Sequence, residues 1–205
     1  MILPGSKNTL EDLRILRESG EAERLLSWRR RGTWFLGICG GFQMLGRRVE
    51  DPWGLDGPGG GVAAQGLGFL PVATRLEPGK VLSRRRVPLD RAWGGSLEGY
   101  EIHHGRTRMV GSGLAVEAVG PDGEALLARS RDGRIWGTYL HGCLDAPGLR
   151  GALLAAVARG RGRDAPGPGA GHADALRELA LDRWADHLER HLDLGFLPAP
   201  RGATE

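Results

Sequence analysis

The chain has 205 residues, 28 basic against 25 acidic, a formal net charge of +3 and 40% hydrophobic residues, the profile of a globular chain able to bury a core. Its 35 glycines and 12 prolines follow no G-X-Y period, which excludes collagen, and its charge is neither large nor clustered with aromatics, which argues against nucleic-acid binding. No apolar run approaches about 20 residues, which excludes a membrane-spanning helix, and Cys39 and Cys143 are too few for a disulfide scaffold, so a reduced, cytoplasmic, metal-free protein is expected.

In chain order, Met1-Ile2-Leu3-Pro4-Gly5 lacks the basic-then-apolar order of a secretory signal. Thr9 to about Arg31 reads as a helix, capped by Thr9, with Leu10, Leu13, Leu16, Leu25 and Leu26 as its apolar contacts. Thr33 to Ile38 is a short apolar run of the kind buried in a parallel sheet. Residues 51–66 are rich in glycine and read as a long surface loop. Strands are expected around Gly68 to Thr74, Leu114 to Val119 and Arg134 to His141. A helix from about Gly148 to Val157 closes a main body of residues 1–158. Residues 159–174 form a flexible linker. Ala175 to Leu192 repeats Leu176, Leu179, Ala180, Trp184 and Leu188 at helical steps, so a C-terminal segment, 175–197, carries an amphipathic helix that packs on the domain or on a partner. Strands alternating with helices give an α/β fold with an open sheet.

The segment Gly37-Ile38-Cys39-Gly40-Gly41-Phe42-Gln43 takes an apolar strand into a cysteine, two glycines and a helix. That is the order of a nucleophile elbow, a cramped turn that glycines make accessible. Amides at the start of the following helix are expected to lower the thiol pKa and to stabilise an oxyanion. The plainer alternative is a cysteine buried as a small apolar side chain at a strand end. A cysteine nucleophile needs a base, and His141 ends a strand about 100 residues later. In open α/β sheets, sites lie at the carboxyl ends of strands, so the two can meet there. A structural histidine is the alternative.

GICGGFQMLG (37–46) and GTYLHG (137–142) together resemble the class I, triad-type glutamine amidotransferases, and in particular their cobyric acid synthase branch. Three further stretches fit that branch: Leu3 to Thr9 (LPGSKNT), Gly99 to Thr107 (GYEIHHGRT) and Leu181 to Leu188 (LDRWADHL). The resemblance covers nearly the whole chain. It implies a mostly parallel, flavodoxin-like sheet flanked by helices, and a glutaminase half-reaction. Cys39 attacks the side-chain amide of glutamine, His141 shuttles the proton, ammonia leaves, and water hydrolyses the γ-glutamyl thioester. Gly5, Ser6 and Gly40 would supply the oxyanion hole, and Gln43 would help to hold the substrate unless it is a core or rim glutamine. His103 would line the site. Arg106 would read the substrate carboxylate unless it is simply a surface arginine.

Two departures qualify the resemblance. The commoner triad enzymes carry a glutamate two residues after the histidine, where this chain has Cys143. The cobyric acid synthase branch lacks it too, which leaves Glu101, Asp145 or a backbone carbonyl to orient His141. The second departure is length. A cobyric acid synthase is about twice as long and begins with an ATP-dependent synthetase domain, and this chain has no G-x-x-x-x-G-K-[ST] loop. The chain is therefore expected to lack that domain and the first strand of its own sheet, with ATP and Mg2+ bound only by the absent part and no cofactor here. The expected function is the glutaminase part of a cobyric acid synthase, supplying ammonia to a synthetase unit that amidates adenosylcobyrinic acid a,c-diamide. The alternatives are the glutaminase subunit of a lipid II isoglutaminyl synthase and a non-catalytic docking fragment.

Overall fold

Phe35-Leu36-Gly37-Ile38 is apolar and too short for a helix, and successive side chains on a strand point to opposite faces. In the computed structural model, which describes residues 1–56, 61–89, 96–120, 125–145, 147–165 and 173–193, these residues form a buried strand with apolar clusters on both faces. Phe35 belongs to the core cluster that contains Phe42, Leu45, Leu70 and Ile135, with its ring edge-on to Phe69, and Leu36 to the cluster that contains Leu126, Trp136 and Leu140.

The elements in order are β1 (Ile2–Leu3), α1 (Thr9–Glu18), α2 (Glu21–Arg30), β2 (Phe35–Ile38), α3 (Gly40–Leu45), β3 (Arg48–Asp51), β4 (Val62–Gln65), β5 (Val72–Pro88), β6 (Ser96–Met109), β7 (Leu114–Val119), β8 (Ala125–Ser130), β9 (Ile135–Thr138), β10 (Leu140–His141), α4 (Pro147–Gly160) and α5 (Ala173–His191). One sheet has the order β1-β2-β9-β8-β7 and the other β10-β6-β5-β3-β4. The fold is α/β and its sheets are open. They are mixed rather than mostly parallel, with β1, β2 and β9 parallel to one another, β3 parallel to β5, and the other neighbours antiparallel. β1 is the edge of its sheet among the described residues.

Three differences from the expected elements matter for the site. The single helix expected over 9–31 is two, because Gly20 adopts φ +76°, a left-handed turn that ends one helix and starts the next. The strand expected at 134–141 is also two. β9 pairs with β2 and β8, the chain turns at Tyr139, and β10 joins the other sheet against β6. Thr138 fixes that turn, its hydroxyl donating to Leu126 O (2.5 Å) and accepting from the Leu140 amide (3.1 Å). Finally, β5 and β6 pair over most of their length, with an irregularity between Arg75 and Lys80.

Within 51–66, β3 and β4 pair across the expected loop, and Asp51 holds the turn between them by accepting the Leu55 (2.9 Å) and Asp56 (2.8 Å) amides. Residues 57–60 lie outside the described residues. The chain divides into two units, Met1–Gly169 and Ala170–Glu205. Of the linker expected over 159–174, residues 159–160 end α4, and 166–172 lie outside the described residues, as do 194–197. Among the described residues no helix is long and apolar enough to cross a membrane.

Candidate active site

β2 ends at Ile38 and α3 begins at Gly40, so one residue, Cys39, must reverse the chain. It does so at φ +52°, ψ −113°, the one non-glycine residue with positive φ among those described. Such a conformation costs on the order of 1–3 kcal/mol and persists only where its surroundings enforce it. The Cys39 amide donates to Thr138 O (2.8 Å), which ties the elbow to β9. The two glycines after it let α3 sit directly on the segment that leaves β1. A Cβ on Gly41 would stand 2.1 Å from the Leu3 carbonyl oxygen, and one on Gly40 2.7 Å from the Ser6 amide nitrogen.

The same close packing brings the thiol and the imidazole together. A Cβ on Gly5 would lie 3.0 Å from His141 Cε1 and 3.6 Å from Cys39 Cβ, so both side chains border the Gly5 backbone. His141 reaches this point from β10, in register with Tyr100 of β6, whose ring stacks on the imidazole at 5.2 Å between centroids. His141 Nε2 is buried and has no hydrogen-bond partner among the described residues. Cys39 Sγ lies 3.6 Å from Ile102 O. Cys39, His141, Gly5 and Ile102 open on a cavity of about 680 Å3, whose lining also includes Ser6, Lys7, Asp56, Lys80, His103 and His104.

The electrostatics of the pair differ from the expected lowered thiol pKa. Burial pushes the Cys39 thiol up, and the Gly40 amide that donates to it offsets this only in part. The helix behind it, α3, is six residues long and adds little dipole. His141 moves the other way, pulled below its ordinary value by burial and by the charge of His103. The resting pair is therefore a neutral thiol beside a neutral imidazole, an arrangement suited to general-base removal of the thiol proton as it attacks. Cys143, one residue beyond Gly142, is buried and pushed up to about 12, mainly by burial, and so is inert.

A model of the CobB/CobQ-like glutamine amidotransferase domain matches residues 1–148. The chain belongs to this family. The cobyric acid synthase of Rhodobacter capsulatus is 47% identical over 203 residues, covering 98% of this chain and 40% of that protein. That of Granulibacter bethesdensis is 42% identical over 201 residues, covering 97% of this chain and 39% of its own length. The chain thus spans about 40% of the length of these curated relatives. A crystal structure of a glutamine amidotransferase superposes with a TM-score of 0.54 at 20% identity, covering 75% of this chain and 76% of its own, and shares the fold.

The remaining expected residues of this amidotransferase domain divide into those at the cavity and those drawn elsewhere. Gly5, Ser6 and His103 line it. Gln43 lines it too, but its amide is engaged: Oε1 accepts from Thr9 Oγ1 (3.1 Å), and Nε2 donates to His104 O (3.2 Å) and the Tyr139 hydroxyl (3.3 Å). It is a buried tie between α1, α3 and β6. Glu101 does not orient His141. Its buried carboxylate accepts from Arg85 Nε (2.7 Å) and lies 3.4 Å from His103 Nε2. Burial alone would raise its pKa, and the His103 hydrogen bond and the Arg85 guanidinium outweigh that and hold it below the ordinary value.

Asp145 sits in the turn after β10, its amide bonded to Gly142 O (2.9 Å). Among the described residues no carboxylate hydrogen-bonds the His141 ring, which is oriented instead by the β10–β6 pairing and the Tyr100 stack. Arg106 pairs with Glu77 (3.3 Å) and borders a neighbouring cavity of about 300 Å3 rather than the one that holds Cys39.

Sequence reasoning missed Asp56, Lys7 and Lys80 at the cavity. Asp56, not Thr9, caps α1, accepting the Leu10 amide at 2.8 Å, while the Thr9 hydroxyl is spent on Gln43. The lysines stand out in the composition, where 26 arginines accompany only two lysines, a skew that reads as compositional bias until the fold brings both to one cavity.

Proposed function

We propose that this chain is the glutamine-hydrolysing part of a cobyric acid synthase and that Cys39 and His141 carry its chemistry. The observation that bears most weight is the pairing of a cysteine held at positive φ with a buried, unpartnered His141 Nε2 on one cavity. Cys39 Sγ attacks the δ-carbon of glutamine as His141 Nε2 takes the thiol proton. The tetrahedral oxyanion is held by backbone amides near Gly5, Ser6 and Gly40. A preorganised donor of this kind is worth about 10²–10³ in rate. The C–N bond then breaks, His141 returns the proton to the leaving nitrogen, and ammonia departs. Water, activated by the same imidazole, cleaves the γ-glutamyl thioester to release glutamate and restore the thiol.

The relatives are named cobyric acid synthases, and in this reading the ammonia goes to amidation of carboxylate side chains of adenosylcobyrinic acid a,c-diamide by the part of such a protein that this chain does not span. ATP and Mg2+ belong in this reading to the part of those proteins that this chain does not span. Neither Gly79-Lys80-Val81 nor Ser6-Lys7-Asn8 belongs to a G-x-x-x-x-G-K-[ST] loop.

Incubated with L-glutamine, the chain is expected to release ammonia and glutamate in equal amounts, measured by coupled glutamate dehydrogenase and by amino-acid analysis. His141→Ala is expected to slow this by about 10²–10⁴-fold, the usual worth of a positioned general base. A folded chain that releases no ammonia, alone or with the rest of a cobyric acid synthase, contradicts the reading.

A further inference from the structure

Apart from Cys39 and its histidines, the cavity carries three ionisable side chains: Lys7, Lys80 and Asp56. They come from three separate places in the chain, the turn between β1 and α1, the strand β5 just past its irregularity, and the turn after β3. Among the described residues neither ammonium makes a salt bridge or a hydrogen bond, whereas Arg14, Arg24, Arg29, Arg48, Arg85 and Arg106 all pair with acids. The chain therefore uses arginine for its internal pairing and keeps its two lysines for this cavity. A lysine is a compact charge on a flexible stem, suited to reaching a small carboxylate where a planar guanidinium is bulkier.

Asp56 is of the opposite kind. Its carboxylate is held by the Leu10 amide, and its own amide is held by buried Asp51. The set is one carboxylate tied by a backbone amide and two ammonium groups on flexible stems around Cys39 and His141.

We propose that Lys7 and Lys80 hold the α-carboxylate, and Asp56 the α-ammonium, of free L-glutamine, so that this trio selects an amino-acid head while Cys39 meets the amide. The assignment rests on the glutaminase reading above. It restricts the amide donor to free glutamine, because a glutamine residue within a peptide has neither terminal charge. A purely anionic ligand such as inorganic phosphate would gain nothing from Asp56. Arg106, the residue the sequence offered as a carboxylate reader, has Glu77 as its partner and lies on the neighbouring cavity.

The test is calorimetric titration in a Cys39→Ser background, which removes the thiol and leaves binding to be read alone. The ligands are L-glutamine, glutaramate, which lacks the α-ammonium, and γ-aminobutyramide, which lacks the α-carboxylate. Lys7→Met and Lys80→Met are each expected to weaken L-glutamine and glutaramate by about tenfold and to leave γ-aminobutyramide unchanged. Asp56→Asn, which keeps an oxygen to cap α1, is expected to weaken L-glutamine and γ-aminobutyramide and to spare glutaramate.

Equal affinity for L-glutamine with and without the lysines overturns the proposal, as does an equal loss for all three ligands or an absence of glutamine binding in the background chain. If this binding pattern holds and the Cys39 chain still releases no ammonia, the glutaminase reading fails and the subsite stands. If ammonia is released and the pattern is absent, the subsite fails alone.

Discussion

Replacing Cys39 with alanine is expected to remove glutamine-dependent ammonia release, a loss of at least about 10⁴-fold, as for other nucleophiles that act as a unit with their base. Among the described residues no second thiol can substitute, because Cys143 is buried and its pKa is pushed up to about 12. Cys143→Ala should accordingly stay within about twofold of the parent rate. The pH profile of the parent carries the same information. In the proposed mechanism His141 serves as base only when neutral, and burial together with His103 lowers its pKa, so kcat/KM should hold down to pH values below the ordinary imidazole range and then fall with acid. Because burial also raises the Cys39 pKa, the thiol stays protonated through neutral pH and its attack depends on that base. A rate that instead rises with thiolate formation well below pH 7 would contradict a neutral resting pair.

Gly41→Ala is expected to destabilise the fold by at least about 3 kcal/mol, at the upper end of overpacking effects. Its Cβ would stand 2.1 Å from the Leu3 carbonyl oxygen and 2.7 Å from both the Leu3 carbonyl carbon and Pro4 O, all backbone atoms that cannot swing aside. Relief requires moving α3 away from β1, and that movement pulls Cys39 from the Gly5 backbone beside His141. The variant should therefore lose roughly 10 °C in Tm in a chain of this size and lose glutaminase activity in whatever fraction remains folded. Gly151→Ala is the matched control. Nothing lies within 4 Å of its Cβ position in α4, so it should add about 0.5–1 kcal/mol by helix propensity. Equal thermal midpoints for the two variants would mean that the close approach of α3 to β1 is not what holds the elbow.

The parts of the site that the sequence made legible are those whose signal is local. An apolar run, a cysteine and two glycines in direct succession constrain one turn, and that turn is present at Cys39 with positive φ. His141 at the end of a strand was legible for the same reason, although not that β10 leaves the sheet of β9 to join β6. That exchange depends on Thr138 bonding to Leu126, 12 residues away, and no periodicity reports it.

The β5–β6 ribbon was missed because its strands are half exposed and read as Arg84-Arg85-Arg86 and scattered glycines, with little alternation of apolar side chains. Glu101 was a candidate orienter as a carboxylate in the GYEIHHGRT stretch, and the pairing of β6 and β10 does bring it beside Leu140, but Arg85 from the opposite strand claims its side chain. Asp56 lies in a glycine-rich stretch that offered no hint of its role at the start of α1. It is a helix cap supplied from 46 residues away, and only the folded chain brings it there.

The most direct test of the account is rapid acid quenching of the chain during turnover of L-glutamine, followed by peptide mass spectrometry. The account predicts a γ-glutamyl group on the peptide that contains Cys39, absent without substrate and absent in Cys39→Ala. Ammonia release with no such adduct in a quench fast enough to resolve turnover, or an adduct on Cys143 instead, would contradict it.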